Sequence, residues 1–382
     1  MSKLAVMAMI LILMASGAHA AIETAPAIDL NCESAILLEP ESGQVIFELQ
    51  ADERRQVASV TKIMAILLAC EAVDQGRASV DDIVVVSSRA SGMGGSQVLL
   101  DTGEKQPLGI LIKSMIVASA NDAAVAVGEY LYGSEKAFVE RMNERAKELG
   151  MLDTNFVNPT GLTASGQFTT ARDVARMSME LIKHGLFFDY STIWMDTIDH
   201  GDGRITELTN TNRLTRLYEG CDGIKTGSTS EAGYCLSASA VRNGMRLIAV
   251  VLGADTSKER FSVASEMLDY GFANYTTYEV AKEGAKVRGM LPVKAGSSEA
   301  VELCIGSDMT LLMSKNDAQN ISVTPTVPEY IVAPVEKGQI VGRVVVLLDD
   351  REIGEVPIVA ASDVPRRGYA DSWRILFRRW YA

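Results

Sequence analysis

Hydrophobic and polar positions change period several times along the chain, and the changes divide it. Residues 35–48 read as strand, turn, strand, with Pro40-Glu41-Ser42-Gly43 as the turn. From 59 to 71 apolar residues recur at helical spacing. Two more helical runs, 107–115 and 121–131, are separated by a short polar break at Ser119. Residues 134–149 and 170–184 are amphipathic helices, the second opened by Thr169-Thr170 as a cap. Strand patterns at 233–239 and 246–253 meet at Asn243-Gly244, a hairpin signal. Residues 258–271 are helical again. The region from about 28 to 276 therefore has strands at both ends and helices between. After Asn274 the pattern becomes short β-branched runs, such as 321–327, 339–348 and 355–359, broken by Gly, Pro and Asp. This predicts a small β-domain over 277–362.

The two ends follow other rules. Lys3, an apolar run from 4 to 14 and the small-x-small site Ala18-His19-Ala20 have the anatomy of a secretory signal peptide. The run is shorter than the ~20 residues a spanning helix needs. Cleavage is expected to leave a mature chain starting near Ala21. At the other end, over 363–382, Tyr369, Trp373, Leu376, Phe377, Trp380 and Tyr381 share one helical face, with Arg374, Arg378 and Arg379 on the others. Such a helix suits a membrane interface, with aromatics at the boundary and arginines on anionic head groups. It is expected to lie on the outer face of the cytoplasmic membrane through residues 369–382, without spanning it.

A length of 382 residues fits two domains with a tail, and 47% hydrophobic against 22% charged is the balance of a soluble globular protein. The net charge of −13 argues against a nucleic-acid partner. Five cysteines (Cys32, Cys70, Cys221, Cys235, Cys304) form no CxxC pair, and their odd number leaves at least one free. They read as buried small hydrophobes. After cleavage only His184 and His200 remain, and no cluster has zinc-ligand spacing, so neither metal nor cofactor is expected.

Candidate chemistry begins at Ser59-Val60-Thr61-Lys62, where a helix starts. Residues three apart share a helical face, so the Lys62 amine can reach the Ser59 hydroxyl. A serine needs a base to become a nucleophile. A lysine serves as that base only when burial or a nearby cation lowers its pKa. The pattern S-x-x-K alone carries little information. Two further elements change its weight: Ser119-Ala120-Asn121 in the break between helices, and Lys225-Thr226-Gly227 ahead of the hairpin. The three, in that order and behind a leader, match the set shared by class A β-lactamases and penicillin-binding proteins. Lys62 then deprotonates Ser59, helped by the charge of Lys225 and by Ser119 as relay. Asn121 holds a substrate amide and Thr226 a terminal carboxylate. Gly227 lets a strand backbone approach the ligand. The N–H groups of Ser59 and Ser228 are oxyanion-hole candidates.

With these motifs the chain resembles the low-molecular-mass penicillin-binding proteins that are D-alanyl-D-alanine carboxypeptidases. Asn158-Pro159-Thr160-Gly161-Leu162 with Thr169-Thr170-Ala171-Arg172-Asp173 looks like that family's linker and helix start, and Asn212-Arg213-Leu214 ahead of Asp222-Gly223-Ile224 fits as well. The resemblance implies an α/β serine-transpeptidase domain over 21–276, β-lactamase-like, with an antiparallel sheet and helices on both sides. A small β-sandwich and a C-terminal amphipathic helix then follow. It implies removal of the terminal D-alanine from peptidoglycan pentapeptides, and acylation by β-lactam antibiotics. It places Arg213 and Arg260 near the substrate carboxylate. One departure is Ala120, where the carboxypeptidases usually have Gly. A class A β-lactamase also needs a Glu followed four residues on by Asn, and no Glu between 120 and 206 has one. A cell-wall scaffold acting by contact alone would have no need of the intact Ser59, Lys62, Ser119 and Lys225.

Overall fold

Every position of β1 (Ser34–Leu38) is buried, which requires cover on both faces of its sheet. The computed structural model describes residues 30–368 and supplies that cover. The leader expected at 1–20 and the amphipathic segment expected at 369–382 lie outside the described residues. β1, β2 (Val45–Leu49), β3 (Cys221–Thr229), β4 (Gly233–Arg242) and β5 (Met245–Ala254) form one antiparallel sheet in the order β2-β1-β5-β4-β3. The sheet's first strand in chain order thus pairs with its last, Ala35 opposite Val251, and β3 is left at an edge. The β4–β5 hairpin turns at Asn243 and Gly244, both at positive φ, as a two-residue turn between twisted strands demands.

One face of the sheet carries α1 (Lys62–Asp74), α2 (Leu108–Val117), α3 (Asn121–Tyr132), α4 (Glu135–Glu148) and α5 (Ala171–Leu181). Thr170 caps α5, accepting from the Asp173 N–H. α1 is buried on nearly all sides, as expected of a helix apolar all round. Ile63, Ile66, Leu67 and Leu68 are fully buried on it, each contributing about 1.5–3 kcal/mol of apolar burial. That offsets the cost of carrying Lys62 into the same interior. The other face packs on α6 (Ser257–Asn274), whose Val263, Ala264, Met267 and Leu268 meet Leu37, Leu247 and Val251.

Beyond Asn274 the chain is β-rich, as the sequence predicts. Six strands are ordered Ile321–Thr326, Ile340–Leu348, Arg351–Ala360, Ala300–Ile305, Lys286–Lys294 and Ile331–Val332. A pair, Tyr275–Ala281 with Met309–Ser314, packs against them through Val280, Ala281 and Met309. The hairpin of Met195–Asp199 with Ile205–Thr209 has no counterpart in the sequence pattern. Its strands are mostly exposed and short of apolar residues, so they lack the alternation that marks a half-buried strand. Cys70, Cys221 and Cys235 are buried, and Cys32 and Cys304 partly so.

Candidate active site

The turn of 3₁₀ helix at 58–61 leads straight into α1 and places Ser59 half-exposed above a fully buried Lys62. Lys62 Nζ lies 2.9 Å from Ser59 Oγ, 2.5 Å from Asn121 Oδ1 and 2.7 Å from the Thr160 carbonyl oxygen. Burial first, then the nearby Lys225 charge, holds the Lys62 pKa well below that of an ordinary lysine, and the Asp122 carboxylate opposes them.

Lys225 sits on edge strand β3, 1% exposed, and Nζ donates to the Thr226 carbonyl at 3.2 Å. Burial, then the Arg260 charge, lowers its pKa to about 7. Thr226 Oγ1 bonds Thr211 Oγ1 at 2.7 Å. Ser228 is exposed one residue past Gly227 on the same strand. At Gly227 a Cβ would lie 2.6 Å from the Val57 carbonyl oxygen and 2.8 Å from the Ser59 nitrogen. Only glycine lets β3 run this close to the Ser59 N–H.

Between α2 and α3, Ser119 adopts φ +64 and is 4% exposed, and among the described residues its hydroxyl has no hydrogen-bond partner. A serine in left-handed conformation with an orphaned buried hydroxyl is strain of the kind that gathers at functional sites. Ala120 follows at φ −60, a conformation any residue adopts, so alanine in the usual glycine position costs nothing there. Arg260 is buried beneath β3, donating to the Gly227 carbonyl at 3.0 Å and the Cys235 carbonyl at 3.4 Å, against the rings of Tyr234 and Phe261. Arg213 is exposed ahead of the short helix Leu214–Leu217, near enough to Arg260 to oppose its charge.

Sequence reasoning misses two parts of this cluster. The 158–162 segment, read as a linker, forms a wall. The Thr160 carbonyl contacts Lys62, and Gly161 at φ +81 packs so close to the Ala58 carbonyl that a Cβ would lie 1.8 Å from its oxygen. A main-chain acceptor has no side-chain signature. Asp122, buried beside Asn121, is the other. Among the described residues no group of three His, Cys, Asp or Glu could hold a metal ion, and no helix is long and apolar enough to cross a membrane.

The family profile described as D-alanyl-D-alanine carboxypeptidase matches residues 19–256. The chain belongs to the D-alanyl-D-alanine carboxypeptidase family. A second profile, the C-terminal domain of penicillin-binding protein 5, matches residues 275–366. Among carboxypeptidase relatives, DacF of Bacillus subtilis is 39% identical over 89% of this chain and 87% of its own length. DacC of Escherichia coli is 33% identical over 97% and 94%. The crystal structure of penicillin binding protein 5 from Haemophilus influenzae superposes with a TM-score of 0.79 at 30% identity, covering 90% of this chain and all of that one. The carboxypeptidase family thus accounts for both the catalytic fold and the β-rich region after it. The chain is a serine peptidase of that family.

Proposed function

We propose that this chain is an exported serine-type D-Ala-D-Ala carboxypeptidase in which Ser59 is the nucleophile and Lys62 the base. The observation that carries the assignment of roles is the 2.9 Å approach of a fully buried lysine nitrogen to the Ser59 hydroxyl. A neutral Lys62 amine has two N–H groups and one lone pair. The N–H groups match the Asn121 Oδ1 and Thr160 carbonyl acceptors, which leaves the lone pair for the Ser59 proton. Ser59 Oγ then attacks the carbonyl between the two D-alanines. The N–H groups of Ser59 and Ser228 take up the oxyanion. Lys62, with Ser119 as relay, returns the proton to the leaving D-alanine nitrogen, and water hydrolyses the acyl-enzyme. The free edge of β3 suits an extended peptide, with Thr226 and the Arg213 charge at its terminal carboxylate and Arg260 holding the Gly227 backbone from below. The relatives named as carboxypeptidases, and a structural neighbour named for penicillin binding, support peptidoglycan stems as substrate and β-lactams as covalent inhibitors.

Intact-protein mass spectrometry after penicillin treatment is expected to show one added penicillin, mapping to the peptide that holds Ser59. Untreated enzyme is expected to release D-alanine from a pentapeptide ending in D-Ala-D-Ala. An adduct on a different residue would overturn the assignment. Rapid multiple-turnover nitrocefin hydrolysis would favour a β-lactamase instead.

The division into a leader over 1–20, a catalytic domain over 21–276, a β-domain over 277–362 and a membrane-facing segment over 363–382 belongs to the same proposal. The Arg-flanked aromatic face of the tail supports peripheral attachment. Deleting 369–382 is expected to shift the protein from the membrane pellet to the soluble fraction of lysed cells without changing D-alanine release. Retention in the pellet would refute attachment by this segment.

A further inference from the structure

Asp122 is fully buried, yet among the described residues no lysine or arginine forms an ion pair with it. A buried carboxylate without a cation is costly unless hydrogen-bond donors replace the water. Here three backbone N–H groups do so: Val98 at 3.1 Å, Leu100 at 3.2 Å and Ala123 at 2.9 Å. Ala123 lies in the first turn of Asp122's own helix, where a carboxylate is expected. Val98 and Leu100 lie more than 20 residues earlier, in the loop of residues 94–100. They flank Leu99, which is exposed at φ +61 and whose carbonyl accepts from Arg204 Nη1 at 3.1 Å. The carboxylate therefore fixes a turn that its own side chains do not favour.

The other end of the same loop is tied to Asn121. Asn121 Nδ2 donates to the Gly94 carbonyl at 2.7 Å, and the Asn121 N–H donates to the Ser96 carbonyl at 2.7 Å. Gly95, at φ +77, lies so close that a Cβ there would be 2.8 Å from Asn121 Nδ2. The remaining amide atom of Asn121, Oδ1, faces Lys62. Two adjacent residues thus grip one loop at both ends, and one of them also holds the amine beside Ser59.

We propose that Asp122 is a positioning residue, whose carboxylate sets the 94–100 loop and through it the Asn121 side chain that orients Lys62. This rests on the reading of Ser59 and Lys62 as nucleophile and base. It has an electrostatic side as well. The charged groups acting on Lys62 are Lys225 from β3 and Asp122 from α3, while Ser59, Asn121 and the Thr160 carbonyl are neutral. Asp122 is the negative member of that set, so its removal lowers the Lys62 pKa further.

The test uses the purified full chain and a fluorescent penicillin, measuring the acylation rate across pH. Both Asp122 oxygens accept N–H groups, so Asp122→Asn sets an amide N–H₂ against a donor whichever way it turns. The variant is expected to acylate about a hundredfold more slowly, the cost of misplacing a reacting group by about 1 Å. Its acid limb should move to lower pH, and the amides of Val98 and Leu100 should exchange faster while those of α1 stay protected. Gly95→Ala is the second variant. It is exposed, keeps Asp122, and pushes on Asn121 from the loop side. It is expected to slow acylation while Val98 and Leu100 stay protected. An Asp122→Asn enzyme with wild-type rate and acid limb overturns the proposal, as does a Gly95→Ala enzyme with wild-type rate. Wild-type protein that takes no penicillin label would sink the Ser59–Lys62 reading instead.

Discussion

Ser59→Ala is expected to abolish both D-alanine release and covalent penicillin labelling, with a loss of about 10⁶-fold in turnover if Ser59 acts as the nucleophile of a unit. The fold should survive. Ser59 is half-exposed, and among the described residues its hydroxyl hydrogen-bonds only with Lys62 Nζ and, at 3.5 Å, the Thr160 carbonyl. Lys62 keeps its Asn121 and Thr160 partners in the variant, so the melting temperature should stay close to wild type. Thermal melting with D-alanine release on a pentapeptide separates lost chemistry from lost structure. A Ser59→Ala protein that still takes the label would move the nucleophile elsewhere. One that restores growth or shape to cells lacking the wild-type protein would make contact, rather than catalysis, the biological role.

The candidate cluster was largely legible because its side chains stand at short, typed spacings: Ser-x-x-Lys, Ser-x-Asn and Lys-Thr-Gly. The Asn243-Gly244 turn and the Thr170 cap were legible for a similar reason, since each meets a local backbone demand. What stayed hidden depends on groups without a sequence signature or on partners far along the chain. The Thr160 carbonyl is main chain. Asp122 stands beside a visible motif, yet its donors at Val98 and Leu100 lie more than 20 residues away, and nothing in the pattern of 94–100 announces them. The family resemblance puts Arg260 near the substrate carboxylate. Only the packing of α6 under the sheet shows that its Nη1 is also shared between the Gly227 and Cys235 carbonyls. The strain at Ser119 likewise follows from the α2–α3 junction, not from the residue.

Replacing Lys225 by methionine is expected to make the protein more stable and less active at neutral pH. Lys225 is 1% exposed, and burial followed by the Arg260 charge lowers its pKa from 10.5 to about 7. The unfolded chain therefore binds this proton more tightly than the folded one does. By linkage, wild-type stability rises with pH across the window from about 7 to 10.5, and the cost of the buried charge is fully present below it. Lys225→Met removes that cost, so the variant should gain a few kcal/mol near pH 7. The gain should shrink toward zero as pH approaches 10.5. Denaturant unfolding of both proteins at pH 7 and pH 10 measures this. Activity moves the other way. Lys225 is the charge that most lowers the Lys62 pKa after burial itself, so its loss should shift the acid limb of penicillin acylation to higher pH. The loss of a preorganised charge at the reacting centre should lower the acylation rate by about 10²–10³-fold. A variant that is less stable at pH 7, with a deficit independent of pH, would show that Lys225 is held as a structural cation. Two buried lysine amines, one on α1 and one on edge strand β3, lower stability at neutral pH, and the same burial is what suits Lys62 to the proposed role of base.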